Sequence, residues 1–149
     1  MTKKLFILVT FIMLALTSAH AQREVYYRCT GNNVNVRKGP GTKYGKVMSV
    51  GGAKCPMGAM QLFKGNIVVG NGVKRNGFIH INYALPYPCI EDGGWVSAQY
   101  LVPAKRCASC KGKGVTGRTC PECNGVGYGY CCNNTGKELC PRCAGVGYH

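Results

Sequence analysis

Along the middle of the chain, apolar and polar positions alternate in short runs, and each run ends in residues that favour turns. Val34-Asn35-Val36-Arg37 alternates, and Gly39-Pro40-Gly41 then breaks it. Residues 46–50, 64–69, 78–81 and 94–96 supply four further runs, each flanked by Gly, Asn or Asp. A period of two sends successive side chains to opposite faces, so each run can bury one face and leave the other wet. Several short strands between glycine-rich turns predict a mainly β fold, a small sandwich or barrel. His80 falls on one of these strands and reads as an ordinary strand residue.

The pattern changes at both ends. Lys3 and Lys4 precede an apolar stretch over residues 5–16, followed by Ser18-Ala19-His20-Ala21 and a polar turn at Gln22. A basic start, a short apolar middle and small residues at the cleavage point predict a signal peptide over residues 1–21, cut after Ala21. The apolar stretch is short of the roughly 20 residues that a membrane span needs. Export to the periplasm, the cell surface or the medium is the expected outcome, with no membrane span left after cleavage. Past 103–106 the aliphatic bulk disappears: only Val115, Val126, Leu139 and Val146 remain among cysteines and glycines. The expected organisation is a leader over 1–21, a β-domain over 22–103 and a cysteine-rich module over 104–149.

The formal charge is +14, and it falls by two when Lys3 and Lys4 leave with the leader. The basic residues are spread over both halves without a polybasic block. Such a balance favours anionic partners, including cell-wall polymers, lipopolysaccharide and nucleic acid, and a generally basic surface is the plain alternative. Export argues against nucleic acid.

Three stretches together resemble a bacterial Src-homology-3-like domain: NVNVRKGPGTKYGKV over 33–47, NGFIHI over 76–81 and GGWVSAQYL over 93–101. The resemblance covers about residues 25–102. It implies a small five-to-six-stranded barrel that binds peptides or cell-wall glycopeptide and rarely catalyses a reaction. Tyr44, Phe78, Tyr83, Tyr87, Trp95 and Tyr100 are the candidate groove residues, because aromatic faces with polar tips suit sugars and short peptides. Phe78 stands where such domains often carry Trp, and core packing competes with ligand contact for Trp95. Two segments exceed the family pattern, 51–60 and 84–92, and each carries one cysteine. In an oxidising compartment Cys55 and Cys89 are therefore expected to form a disulfide. Cys29 is left as a buried thiol on the first strand, or as a competitor for either partner.

The tail repeats itself. CASCKGKG (107–114), CPECNGVG (120–127) and CPRCAGVG (140–147) are three copies of CxxCxGxG, with Cys131-Cys132 between the second and third. Paired CxxC knuckles present two sulfurs to one metal, and this is the spacing of thiolate zinc sites. A segment with so few aliphatics cannot offset its chain entropy by burial, so a metal or covalent staple is required. A four-thiolate zinc centre carries a formal charge near −2, which Lys105, Arg106, Lys111, Lys113, Arg118, Lys137 and Arg142 stand ready to offset. The segment resembles the cysteine-rich zinc finger of J-proteins, the DnaJ family, in which four such repeats bind two zincs by pairing first with fourth and second with third. That pairing implies one site from Cys107, Cys110, Cys140 and Cys143, and half of another from Cys120 and Cys123. Where the third repeat should stand, Cys131 and Cys132 are adjacent, so the second site is distorted, uses one of the pair, or is absent. The J-domain is missing, and with it any inherited role in recruiting a chaperone.

No hydrolytic constellation is visible. His80 and His149 are not clustered with any of the five acids, so the expectation is a non-catalytic exported binding or scaffold protein, its barrel on envelope polymer or peptide and its zinc module on a client protein. The competing reading is a thiol–disulfide oxidoreductase or holdase using metal-free CxxC pairs. An oxidising compartment also leaves open a tail held by disulfides alone.

Overall fold

The computed structural model describes residues 23–52, 55, 57–85, 89–127 and 131–149. The expected leader and Tyr87 lie outside the described residues. The chain is mainly β. Its strands are β1 (Val25–Cys29), β2 (Val34–Asn35), β3 (Gln61–Leu62), β4 (Ile67–Arg75), β5 (Phe78–Leu85), β6 (Gly94–Ser97), β7 (Leu101–Pro103), β8 (Val115–Thr119) and β9 (Lys137–Leu139). A single 3-10 turn, Ala98–Tyr100, links β6 to β7.

The main sheet runs β6-β5-β4-β1-β7 with every pairing antiparallel. Its long hairpin, β4 to β5, turns at Asn76-Gly77, where both residues have positive φ (48° and 76°). A two-residue turn of that handedness matches the natural twist of the paired strands, and Asn-Gly is the sequence that adopts it most readily. Further along β4 the register slips between Val69 and Lys74, and Gly70 lies so close to the His80 carbonyl that any Cβ would collide with it. Such a bulge bends and twists the sheet around its core.

Alternation sorts the faces as the sequence predicts. On β5, Ile79, Ile81 and Ala84 are buried while Phe78, His80 and Asn82 are half-exposed; on β6, Val96 is buried and Trp95 is not. The buried set joins Val34, Val36, Met60, Leu62, Val68 and Leu101 in one cluster, to which Cys89 and Ile90 also belong. The expected strand over 46–50 is present only as isolated bridges, Arg37 to Lys46 and Met48 to Ala59. Lys64 and Gly65 form a turn, so the strand expected from 64 starts at Ile67. The short β2–β3 pair reaches the main sheet through the Arg37–Trp95 bridge.

The disulfide joins Cys55 to Cys89, with Cα atoms 5.3 Å apart, within the usual span. The Val50 N–H donates to the Cys89 carbonyl at 3.0 Å, so the two excursions are tied by backbone as well as by sulfur. Cys29 is a free, fully buried thiol on β1 that donates to the Gly31 carbonyl, and burial pushes its pKa up.

The step from β7 into the tail is not a loose linker. The Ala104 N–H donates to the Tyr26 carbonyl, Lys105 and His149 exchange two backbone hydrogen bonds, and Arg106 bridges Tyr148. The Tyr148 ring stacks on that of Tyr26 with centroids 3.9 Å apart and planes 9° off parallel. Tyr26 and Tyr83 both donate their hydroxyls to Glu24, one to each carboxylate oxygen. Among the described residues, no helix is long and apolar enough to cross a membrane.

Candidate functional site

Each CxxC turn of the tail has the same backbone. The residue after the second cysteine and the glycine that follows both have positive φ: 52° and 81° at Lys111-Gly112, 47° and 80° at Asn124-Gly125, 48° and 83° at Ala144-Gly145. The N–H three residues after the second cysteine donates back to that cysteine's carbonyl, from Lys113, Val126 and Val146. The last glycine of the repeat then turns its N–H onto the second sulfur, from Gly114 to Cys110 at 3.2 Å and from Gly147 to Cys143 at 3.1 Å. Such charge-assisted bonds stabilise a thiolate.

The missing repeat is present in disguise. Asn133 and Asn134 have φ of 49° and 60°, Gly136 of 66°, and the Thr135 N–H donates to the Cys132 carbonyl. Cys132 therefore occupies the second-cysteine position, Asn134 stands where the first glycine would, and the frame puts the first-cysteine position at Gly129. Cys131 supplies the sulfur that Gly129 cannot. Asn is the side chain that best tolerates the left-handed region, which is why this substitution is sterically possible.

The repeats interlock as nested pairs. Cys107 and Cys140 donate their N–H groups to the carbonyls of Gly147 and Gly114, and Cys120 donates to that of Gly136. A Cβ on Gly114 would strike the Gly145 carbonyl, and one on Gly147 would strike that of Gly112. Close backbone approach is the reason glycine is needed at these positions.

The eight sulfurs fall into two groups, Cys107, Cys110, Cys140 and Cys143, and Cys120, Cys123, Cys131 and Cys132; within each, all lie inside 4.8 Å of one another. Sulfur separations are 3.9 Å for Cys107–Cys140, 3.7 Å for Cys110–Cys143 and 3.6 Å for Cys123–Cys132. A tetrahedral metal about 2.3 Å from each of four sulfurs sets them roughly 3.8 Å apart, whereas a disulfide would bring them to about 2.05 Å. Both tetrads can hold a metal ion. Cys131 and Cys132 both enter the second group, which settles how adjacent cysteines fit: neither is excluded.

Proton affinities within the clusters are pulled apart. Burial pushes the Cys110 thiol up, but the Gly114 N–H and the facing sulfurs outweigh it and hold the pKa down at about 7. Cys123 is likewise held at about 7, chiefly by the Gly127 N–H. Cys131 and Cys143 are pushed up to about 12, by burial first and then by neighbouring sulfurs. Thiolate ligation therefore displaces protons, those on Cys131 and Cys143 being held most tightly and those on Cys110 and Cys123 given up most easily. Metal affinity should fall as pH is lowered, by about tenfold per unit for each proton displaced, and most steeply below 7. Competition with a chromogenic chelator between pH 6 and 8 measures this. An unchanged affinity across that range would count against thiolate ligation.

The charges around the tetrads are modest partners. Arg118 donates to Glu138 at 2.7 Å, with Thr116 sharing the same carboxylate oxygen, and exposure of the arginine keeps this pair a minor contributor.

No family model, curated protein or solved structure matches the chain. Function therefore rests on the residues themselves.

The aromatic candidates on the β-body do not converge on one groove. Phe78 and Tyr100 line a cavity of about 260 Å³ together with Asn35, Arg37 and Thr42. Trp95 lines a different one. The ring of Tyr44 lies against Gly39, with the Lys43 ammonium 5.5 Å from its centroid, and Tyr83 is engaged by Glu24. The Arg37 guanidinium donates to the carbonyls of Thr42 and Tyr44, which fixes the loop at the rim of the first cavity.

Proposed function

We propose that this is an exported, non-catalytic scaffold protein in which a Src-homology-3-like β-body binds envelope polymer or peptide and a DnaJ-type tail, holding two zinc ions, contacts protein. The observation that carries this reading is the pair of tetrads, whose sulfurs already stand at metal-site spacing in a tail with no aliphatic core of its own. Zinc is the natural occupant, since closed four-cysteine sites without an open coordination position are its structural mode. Cys107, Cys110, Cys140 and Cys143 would hold one ion, and Cys120, Cys123, Cys131 and Cys132 the other. The ion supplies cross-linking; the chain's own glycine turns supply the geometry. The leader-like residues 1–21 and the Cys55–Cys89 disulfide both fit an oxidising compartment, where a filled metal site also shields thiolates from oxidation. Burial of seven of the eight tail sulfurs weighs against thiol–disulfide exchange, which needs an accessible thiolate.

On the β-body, the cavity lined by Phe78 and Tyr100 combines two aromatic faces with amide and hydroxyl groups, the chemistry that suits a peptide or glycopeptide. The full chain should be retained on insoluble peptidoglycan at physiological salt, and Phe78→Ala with Tyr100→Ala should weaken retention about tenfold, the order expected when an aromatic anchor is truncated. Retention no greater than that of a neutral control protein would sink the reading. Binding abolished by salt alone and untouched by the substitutions would reduce it to nonspecific charge.

A further inference from the structure

We propose that a second cavity of the β-body, on the face of β5 and β6 turned away from the core, binds a peptide segment carrying a lysine-type alkylammonium beside an apolar residue. This deepens the reading of the β-body as a binding module by giving it a second site of different chemistry. The cavity, of about 410 Å³, lies between the 47–50 segment and the 91–95 stretch.

Its floor is aromatic. His80 and Trp95 are directly paired across β5 and β6, their rings edge to face at 5.1 Å, and the backbone of Gly93 and Gly94 adjoins them in the lining. One wall is apolar: Met48 and Val50, two residues apart on an extended segment, are 57% and 50% exposed. That wall is held in place before any ligand arrives, by the hydrogen bond from Val50 to Cys89 and by the disulfide from Cys55 to the same residue.

The opposite rim carries Glu91 and Asp92. Only five acids occur in this strongly basic chain, and Glu24 and Glu138 are already engaged by tyrosines and by Arg118. Glu91 and Asp92 are exposed and have no hydrogen-bond or ion-pair partner among the described residues. Lys38 is the only lysine or arginine lining the cavity, beside the His80 imidazole of its floor, so two carboxylates stand at its rim on a molecule of charge +14. An acidic rim repels polyanions, and a neutral sugar has no use for it. An alkylammonium uses all three elements: carboxylates for the head, the Trp95 face for cation–π attraction, and Met48 and Val50 for the methylene stem.

Trp95 is the only tryptophan in the chain, so its emission reports on this cavity. The full chain is titrated with acetyl-Leu-Lys-Leu-amide and, as a control, acetyl-Leu-Glu-Leu-amide. The lysine peptide should give a saturable change, with the glutamate peptide at least about tenfold weaker, and Glu91→Gln with Asp92→Asn should weaken the lysine peptide about five- to tenfold. Equal affinity for both peptides, no saturable change, or indifference to the double substitution would overturn the proposal. So would an emission change with protein concentration alone, which would mean that a second copy fills the cavity. Amide protection in β5 checks that the variants remain folded. Phe78→Ala should leave the lysine peptide bound while peptidoglycan retention falls, so either site can fail without the other.

Discussion

Replacing Cys140 with serine should empty one of the two proposed metal sites and unfold the outer clasp of the tail while the β-body stays intact. Among the described residues the tail's buried side chains are cysteines, so the proposed ions would be its main source of stability; binding a structural zinc is worth roughly 10 to 16 kcal/mol, and in such a module that energy is folding energy. Amide protection at Gly114 and Gly147, whose N–H groups face the first cluster's sulfurs, should vanish. Protection in β4 and β5, and the emission of Trp95, should persist. A chelator should do the same to the whole tail and leave eight thiols reactive. In the inner cluster Cys132→Ser should be the more damaging of the adjacent pair, because Cys132 is fully buried and its turn has the repeat's backbone, while Cys131 is half-exposed. A tail that keeps its protection without metal would mean that something else holds it.

Reducing the Cys55–Cys89 disulfide, or replacing both residues with serine, should destabilise the β-body by about 3 to 4 kcal/mol, the chain-entropy value for a loop closed over 34 residues. Denaturant unfolding followed by Trp95 emission measures it. Cys89 is buried in the main cluster, so the serine variant also loses apolar packing, and reduction of the unaltered chain isolates the covalent part. Loss of the bridge should loosen the 47–50 wall as well, so the lysine peptide should bind more weakly to the reduced protein than to the oxidised one. A midpoint unmoved by reduction would show that the excursions are held without the bond.

Much of this was legible in the residues, for definite physical reasons. Strands buried on one face announce themselves by alternation, and β5 and β6 do so. β1 does not: Val25-Tyr26-Tyr27-Arg28-Cys29 is flanked by β4 and β7 and carries four half-buried side chains in a row before the buried Cys29, so no period of two appears. β3 and β7 are too short to show a pattern at all. The CxxCxGxG copies gave away their turns because cysteine and glycine have few other reasons to recur at that spacing. The third copy was obscured because its first cysteine is shifted by two positions and its first glycine is Asn134. The signal that could have found it was Asn133-Asn134 ahead of Gly136, two residues tolerant of positive φ where the other copies need it. Separation of the aromatics into two cavities is not a matter of face, since the register pairs His80 with Trp95 and Phe78 with Ser97 and so puts Phe78 and Trp95 on one face of β5 and β6; the loops that wall each cavity divide them, and no local rule reveals those.

The nesting of the two clusters also favours an order of assembly. The inner turn closes from Cys123 to Cys131, about eight residues apart, and the outer from Cys110 to Cys140, about thirty; each doubling of a loop adds about 0.6 kcal/mol to its closure. Closing the inner clasp therefore costs the chain less than closing the outer one. Once the inner sulfurs are clasped, the span between the outer pairs is already folded back on itself, and the final strand arrives beside Lys105 to be sealed by Tyr148 against Tyr26. An inner clasp made first thus shortens the outer closure, and a chain halted at that stage would display its outer thiols unpaired.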